Sequence, residues 1–158
     1  MVGYIRMKWF IFDLDDTLVH CYGNLLIKDD VLHILKELYC SSEYKMAIAS
    51  FNYHAKEILA NHNIIQYFDY ISAGIIKPDG KIHDYPMSKV DNILEITANC
   101  NITDKNKVVF FDNDPINCKH VRSYLGIASV VVSHITGLKR ADLNWGLDML
   151  SYVGPLEN

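Results

Sequence analysis

KWFIFDLDDTLVH, residues 8–20, is the stretch from which the rest of the chain can be read. Trp9, Phe10, Ile11 and Phe12 form an unbroken apolar and aromatic run, as expected of a strand covered on both faces in a parallel sheet. Asp13 and Asp15 follow at once. Ligands of open α/β sheets bind outside the carboxyl ends of the strands, so two carboxylates placed there share the mouth of a crevice. One can attack an electrophile while the other handles protons. A DxD after a strand also suits a turn or a helix cap, so its meaning depends on how the other strands end.

Working outward, LVHCYGNLLIK (18–28) carries a Gly23-Asn24 turn signal between two short apolar pieces, which predicts a small hairpin or flap beside the mouth. His20 lies in it, as either a surface residue or a substrate contact. DDVLHILKELYC, capped by Asp29 and Asp30, repeats Val31, Leu32, Leu35 and Leu38 at helical spacing and predicts a helix with one core face. YKMAIASFN then reads as a second parallel strand ending in Ser50. Asn52 is the expected cap of a helix running through His62. Residues 67–76 give a third strand, and Lys77-Pro78-Asp79-Gly80-Lys81 a turn. DYPMSK leads into a helix patterned on Val90, Ile93, Leu94 and Ile96, with Ser88 as its cap. KVVFFDNDPIN is a fourth strand ending in Asp112, and Pro115 opens the next helix at a position that tolerates proline. A helix to about Leu125 and Gly126, a fifth strand ASVVVS and a closing helix ADLNWGLDML complete the pattern.

The alternation predicts an α/β fold: a three-layer, doubly wound, mostly parallel five-stranded sheet. With 158 residues, half of them hydrophobic, the chain has the size and composition of one domain spanning 1–158 with a full core. A net charge of -4 excludes a broad basic field for gripping nucleic acid or an anionic membrane. Cys21, Cys40, Cys100 and Cys118 are scattered without a CxxC pair, which points to reduced thiols and a cytoplasmic, intracellular setting. The first residues lack a signal-peptide pattern, and no stretch reaches membrane-spanning length.

The run hhhhDxDxTL in residues 9–18 resembles the first motif of the haloacid dehalogenase superfamily, whose members are mostly aspartate-nucleophile phosphatases. MAIAS resembles its second motif, a strand ending in Ser or Thr; YPMSK resembles the lysine-bearing third; and VVFFDNDP resembles the acidic fourth. The four occur in the superfamily's order. The later segments, ASFN, YPMSK and FFDNDPIN, resemble the magnesium-dependent phosphatase group, and the likeness covers roughly residues 8–150. It implies a Rossmann-like fold with the small flap covering the phosphate, and the segments between Leu18 and Tyr44 and between Asn52 and Lys89 are too short to hold a full cap domain. It implies Asp13 as nucleophile and Asp15 as general acid/base, with Ser50 and Lys89 on the phosphoryl oxygens and Lys77 as the fallback for Lys89. Mg2+ is the implied cofactor, held by Asp13, Asp15 through its carbonyl, and Asp112. Thr17, Asn113 and Asp114 are candidates for supporting contacts. Asn113 departs from the acidic residue that most members carry directly after Asp112 or four to five positions later, and Asp114 is equally a cap for the helix at Pro115.

The implied activity is a magnesium-dependent phosphomonoester hydrolase working through an aspartyl-phosphate. Its open mouth suits a phosphorylated protein side chain or a small phosphate; no nucleic acid or membrane partner is expected. DLDDTLVH also resembles the small carboxy-terminal-domain protein phosphatases, which gives a Ser/Thr protein phosphatase as the alternative enzyme. Asn113 supports a non-enzymatic alternative, a phosphate-binding or interaction module with weak catalysis. A receiver domain is excluded by motif order, because its acceptor Asp lies on a later strand than its acidic pair.

Overall fold

The computed structural model describes residues 7–20, 29–76 and 88–151. Five strands, β1 (Lys8–Phe12), β2 (Tyr44–Ser50), β3 (Tyr70–Ala73), β4 (Val108–Asp112) and β5 (Ala128–Val131), form one sheet in the order β3-β2-β1-β4-β5. Every pairing is parallel. Phe10 sits opposite Met46 on one side and Val109 on the other, so the strand carrying the aspartates is central. The order reverses direction at β1, first β2 and β3 to one side, then β4 and β5 to the other. That reversal opens the crevice where such sheets bind ligands.

Side chains alternate across a strand, and the apolar run of β1 therefore feeds two separate cores. Phe10 and Phe12 join Met46, Ile48, Val109, Phe111 and Val130 on one face. That face is covered by α1 (Asp29–Cys40), α2 (Ala55–Asn61) and α5 (Arg140–Ser151), which contribute Val31, Leu35, Leu38, Leu59 and Leu143. Trp9 and Ile11 join Ala47, Ala49, Val108 and Phe110 on the other face, beneath α3 (Lys89–Asn99) and α4 (Pro115–His120). Phe12 and Phe111 stack with ring centroids 5.0 Å apart directly below the site. Burial of one such aromatic contributes roughly 1.5–3 kcal/mol, so the floor on which Asp13 and Asp112 stand is firmly packed.

The expected five strands and three layers are all present. Leu94, expected in the core stripe of α3, is instead 44% exposed, while Val90, Ile93 and Ile96 are buried. Ser88 caps α3 as expected, accepting a hydrogen bond from the Val90 N–H at 3.2 Å. After α4 the helix widens into a π turn over Val121–Leu125 and ends at Gly126, whose φ of 65° is the left-handed conformation that glycine adopts without strain. Residues 21–28 of the expected flap (18–28), with Cys21, and the fallback residue Lys77 lie outside the described residues. Among the described residues no helix is long and apolar enough to cross a membrane.

Candidate active site

Asp13 directly follows β1, and its N–H still donates to the Phe111 carbonyl at 2.9 Å, so the sheet ladder holds its backbone. The chain then turns sharply. Leu18 and Val19 donate their N–H groups to the Leu14 carbonyl, and Asp16 occupies the left-handed region at φ 60°, a conformation that Asp tolerates better than most residues. This turn puts the Thr17 hydroxyl 3.1 Å from Asp13 Oδ2 as a donor. Thr17 is in turn tied to the far loop through its carbonyl, which accepts from the Leu138 N–H at 2.8 Å.

Lys89 opens α3 and is 2% exposed. Its Nζ lies 2.6 Å from Asp13 Oδ1 and 3.2 Å from Asp112 Oδ2, and the Phe51 ring stands 4.7 Å away. Once both carboxylates are ionised, a buried ammonium beside them leaves the cluster one negative charge in excess, which favours a cationic ligand. Burial alone would lower the Lys89 ammonium's pKa; Asp13 and Asp112 outweigh it and hold the group above its usual value. Burial dominates at Asp13, pushing it up to about 7 against the attraction of Lys89, with Asp112 adding repulsion. Asp15 is half-buried and also raised, chiefly by burial and despite a hydrogen bond from Asn52.

Asp112, at the end of β4, is 1% exposed and has donors on both carboxylate oxygens. The Asp114 N–H reaches its Oδ1 at 2.8 Å, and Asn117 Nδ2 reaches its Oδ2 at 3.0 Å. Asp114, one of the candidate supporting residues, turns its own carboxylate away: Oδ1 accepts from the Ile116 N–H at 2.8 Å and caps α4. It serves the site through its backbone only.

Asn113 bears most directly on a metal. One atom of its amide group faces the Asp15 carbonyl oxygen, Asp13 Oδ2 and Asp112 Oδ1 at 3.1, 3.0 and 3.3 Å. The other end of the amide faces only donors, so without a cation the nitrogen faces the three oxygens and donates to all of them. An oxygen there would need a cation among the four, and separations near 3 Å are those of neighbouring ligands around a cation whose bonds to oxygen are about 2.1 Å long. The three oxygens belong to the residues expected to hold Mg2+, and an all-oxygen donor set suits that hard cation. Among the described residues, no group of three or more His, Cys, Asp or Glu side chains is placed to hold a metal ion, so a cation here would rely on the Asp15 backbone carbonyl beside Asp13 and Asp112.

Ser50 ends β2 and is 1% exposed; its Oγ accepts from the Asn52 N–H at 3.0 Å, which leaves its hydroxyl proton free to be donated elsewhere. Asp13, Thr17, Ser50, Lys89, Asp112 and Asn113 thus stand at the carboxyl ends of β1, β2 and β4 and the start of α3, as the sequence led one to expect. Asn52, expected to cap α2, does not; the helix begins three residues later behind His54, and Asn52 Nδ2 instead donates to Asp15 Oδ2 at 3.2 Å. Asn92 and Asn117 were not foreseen. Asn92, fully buried on α3, donates to Ser72 Oγ and the Gly74 carbonyl, each at 3.0 Å, and to the Ser50 carbonyl at 3.4 Å. Its place one turn after Lys89 was a usable signal, as was the position of Asn117 five residues after Asp112, within the spacing at which the resemblance implied a further acidic residue.

The acid phosphatase family matches residues 21–152, a span that takes in Ser50, Lys89 and Asp112 and begins after Asp13 and Asp15. No curated protein matches the chain. Among solved structures, the chain is similar to a haloacid dehalogenase-like hydrolase from Streptococcus pneumoniae, at 15% identity and TM-score 0.63, with 90% of each chain covered. A haloacid dehalogenase-superfamily hydrolase from Ehrlichia chaffeensis aligns at 15% identity and TM-score 0.57, covering 92% of this chain and 99% of that one. The N-terminal part of a Bacteroides fragilis protein, containing a phosphatase domain complexed with Mg, aligns at 19% identity and TM-score 0.65, covering 97% of this chain and 42% of that one. At such identities the likeness speaks for the fold, and it is the haloacid dehalogenase fold that the four motifs anticipate. The family match carries the identity further: the chain belongs to the acid phosphatase family and is a phosphatase of the haloacid dehalogenase superfamily.

Proposed function

We propose that this phosphatase is a magnesium-dependent phosphomonoesterase that works through an aspartyl-phosphate. The observation that carries the reading is the buried Asp13–Lys89–Asp112 cluster, with Thr17 bonded to the Asp13 oxygen that Lys89 leaves free. Asp13 attacks phosphorus as the bond to the leaving oxygen breaks, and Asp15 donates its proton to that oxygen, so the alcohol departs neutral. Water then attacks phosphorus and passes a proton to the Asp15 carboxylate. The P–O bond of the Asp13 acyl phosphate breaks with the carboxylate leaving, which releases phosphate and restores the Asp13 carboxylate and the protonated Asp15. Lys89 and the Ser50 hydroxyl stabilise the charge that gathers on the phosphoryl oxygens. Bound Mg2+ would be held by Asp13, the Asp15 carbonyl, Asp112 and the Asn113 amide oxygen, and would supply Lewis-acid neutralisation of charge on the phosphoryl group.

The elements between β1 and β2, and between β2 and α3, form no inserted domain among the described residues. This supports an open site that takes phosphate on a protein side chain as readily as on a small molecule. Asn113 favours one other reading. With its nitrogen facing the three oxygens, the amide satisfies them without a cation, as in a phosphate-binding module that has lost turnover. Hydrolysis of p-nitrophenyl phosphate by wild type and Asp13→Asn, with Mg2+ and with EDTA, separates the two. Activity that needs both Asp13 and the metal supports the phosphomonoesterase. A folded wild type inactive on this and a panel of phosphoesters supports the module.

A further inference from the structure

We infer that Asn52 is a positioning residue for the reaction, orienting the carboxyl group of Asp15 toward the leaving group; the inference rests on the acid/base role proposed above for Asp15. Every polar group of Asn52 is engaged. Its N–H donates to Ser50 Oγ at 3.0 Å, its carbonyl accepts from the Ala55 N–H at 3.1 Å, and its Oδ1 accepts from the His54 N–H at 2.9 Å. That last bond fixes which end of the amide is which, since an amide nitrogen cannot accept. The remaining end, Nδ2, crosses to the loop after β1 and donates to Asp15 Oδ2 at 3.2 Å.

Three of these bonds lie within the local turn, and Ser or Asp would form that turn equally well through a side-chain oxygen. The fourth is different. It needs a neutral side chain with an acceptor at one end and a donor at the other, which Asn has and Ser or Asp of similar reach does not. The choice of Asn therefore answers to Asp15, 37 residues away in sequence, as well as to the turn. Occupying Oδ2 stops the carboxyl group from rotating and leaves Oδ1 to carry the proton toward the leaving oxygen. Because the backbone N–H of the same residue bonds Ser50, one residue ties the phosphoryl seat to the proton donor, through its main chain on one side and its side chain on the other.

The test is the dependence of kcat/KM on the leaving group, since kcat/KM reports the steps up to formation of the aspartyl-phosphate. Asn52→Ser and Asn52→Asp both keep an oxygen for the His54 N–H and lose the donor to Asp15. Wild type, both variants and Asp15→Asn are assayed with Mg2+ on p-nitrophenyl phosphate, whose leaving group departs without much proton help, and on glycerol 2-phosphate, whose leaving group requires it. General acid catalysis commonly contributes about 10²–10⁴-fold, so the Asn52 variants should lose at least about tenfold more on glycerol 2-phosphate than on p-nitrophenyl phosphate. Equal losses on both substrates, as from loosening of the turn, or no loss on either, would overturn the inference while Asp15→Asn still shows the bias. If Asp15→Asn shows no bias, the acid/base reading itself fails, and the role of Asn52 with it.

Discussion

Replacing Lys89 with methionine keeps an unbranched stem of similar length and removes the charge that lies 2.6 Å from Asp13 and 3.2 Å from Asp112. At an effective dielectric of about 20, the two attractions amount to roughly 12 kcal/mol before any cost of dehydration is set against them. Dehydrating an ammonium and two carboxylates cancels most of that, and removing one member of a buried ionic cluster typically costs about 3–5 kcal/mol. That range is our expectation for Lys89→Met without metal at pH 8. The loss should depend on pH in a definite direction. Asp13 is held up to about 7 in the folded protein and ionises near 3.8 when exposed, so the folded state binds the extra proton between those values. Stability linked to Asp13 is therefore present at low pH and lost as pH rises through about 7. Without Lys89 the Asp13 carboxylate is less well tolerated still, and the gap between variant and wild type should widen from pH 5 to pH 8. Urea unfolding in EDTA, followed by the fluorescence of buried Trp9, measures this at both pH values. A Lys89→Met protein within about 1 kcal/mol of wild type at pH 8, or one hurt more at pH 5, would refute the reasoning from buried charge.

Asp13→Asn should abolish turnover and leave the domain folded, because Asn keeps the shape, its oxygen can still accept from Lys89 and its amide nitrogen can donate to the Thr17 hydroxyl oxygen; phosphatase assay and circular dichroism check the two halves. Mg2+ should raise the thermal midpoint of wild type by mass action, and Asp112→Asn should remove most of that shift in a thermal melt without phosphoester present. Asp114→Ala should lose a helix cap, about 1 kcal/mol in chemical denaturation, with kcat/KM on p-nitrophenyl phosphate within about threefold of wild type.

The strands were legible because each is a short apolar run of one type, and a parallel sheet buried on both faces demands that pattern. Asp13, Ser50 and Asp112 were legible for the same reason: they are the polar residues that end those runs. Lys89 needed more, since Lys77 was also a candidate. What distinguishes it is position N1 of a helix capped by Ser88, which aims it between β1 and β4. The amide residues resisted. Asn52 looks like a cap because Asn is a cap residue, and its partner Asp15 lies on another loop that local sequence does not connect to it. Asn92 and Asn117 sit on helices whose apolar periodicity describes only the core-facing residues. Leu94 shows the converse limit, since it fits the helical period yet falls on the rim of the stripe and is 44% exposed.

The Lys89 ammonium closes bonds to Asp13, 76 residues earlier, and to Asp112, 23 residues later. It stands at the amino end of a helix, where the macrodipole disfavours a cation, so α3 gains nothing from it until both strand ends have docked. The cluster therefore assembles only when chain segments far apart have all arrived. It works as a checkpoint: a molecule whose β4 has not joined the sheet lacks a competent Asp13 as well, and catalytic output counts completely folded molecules.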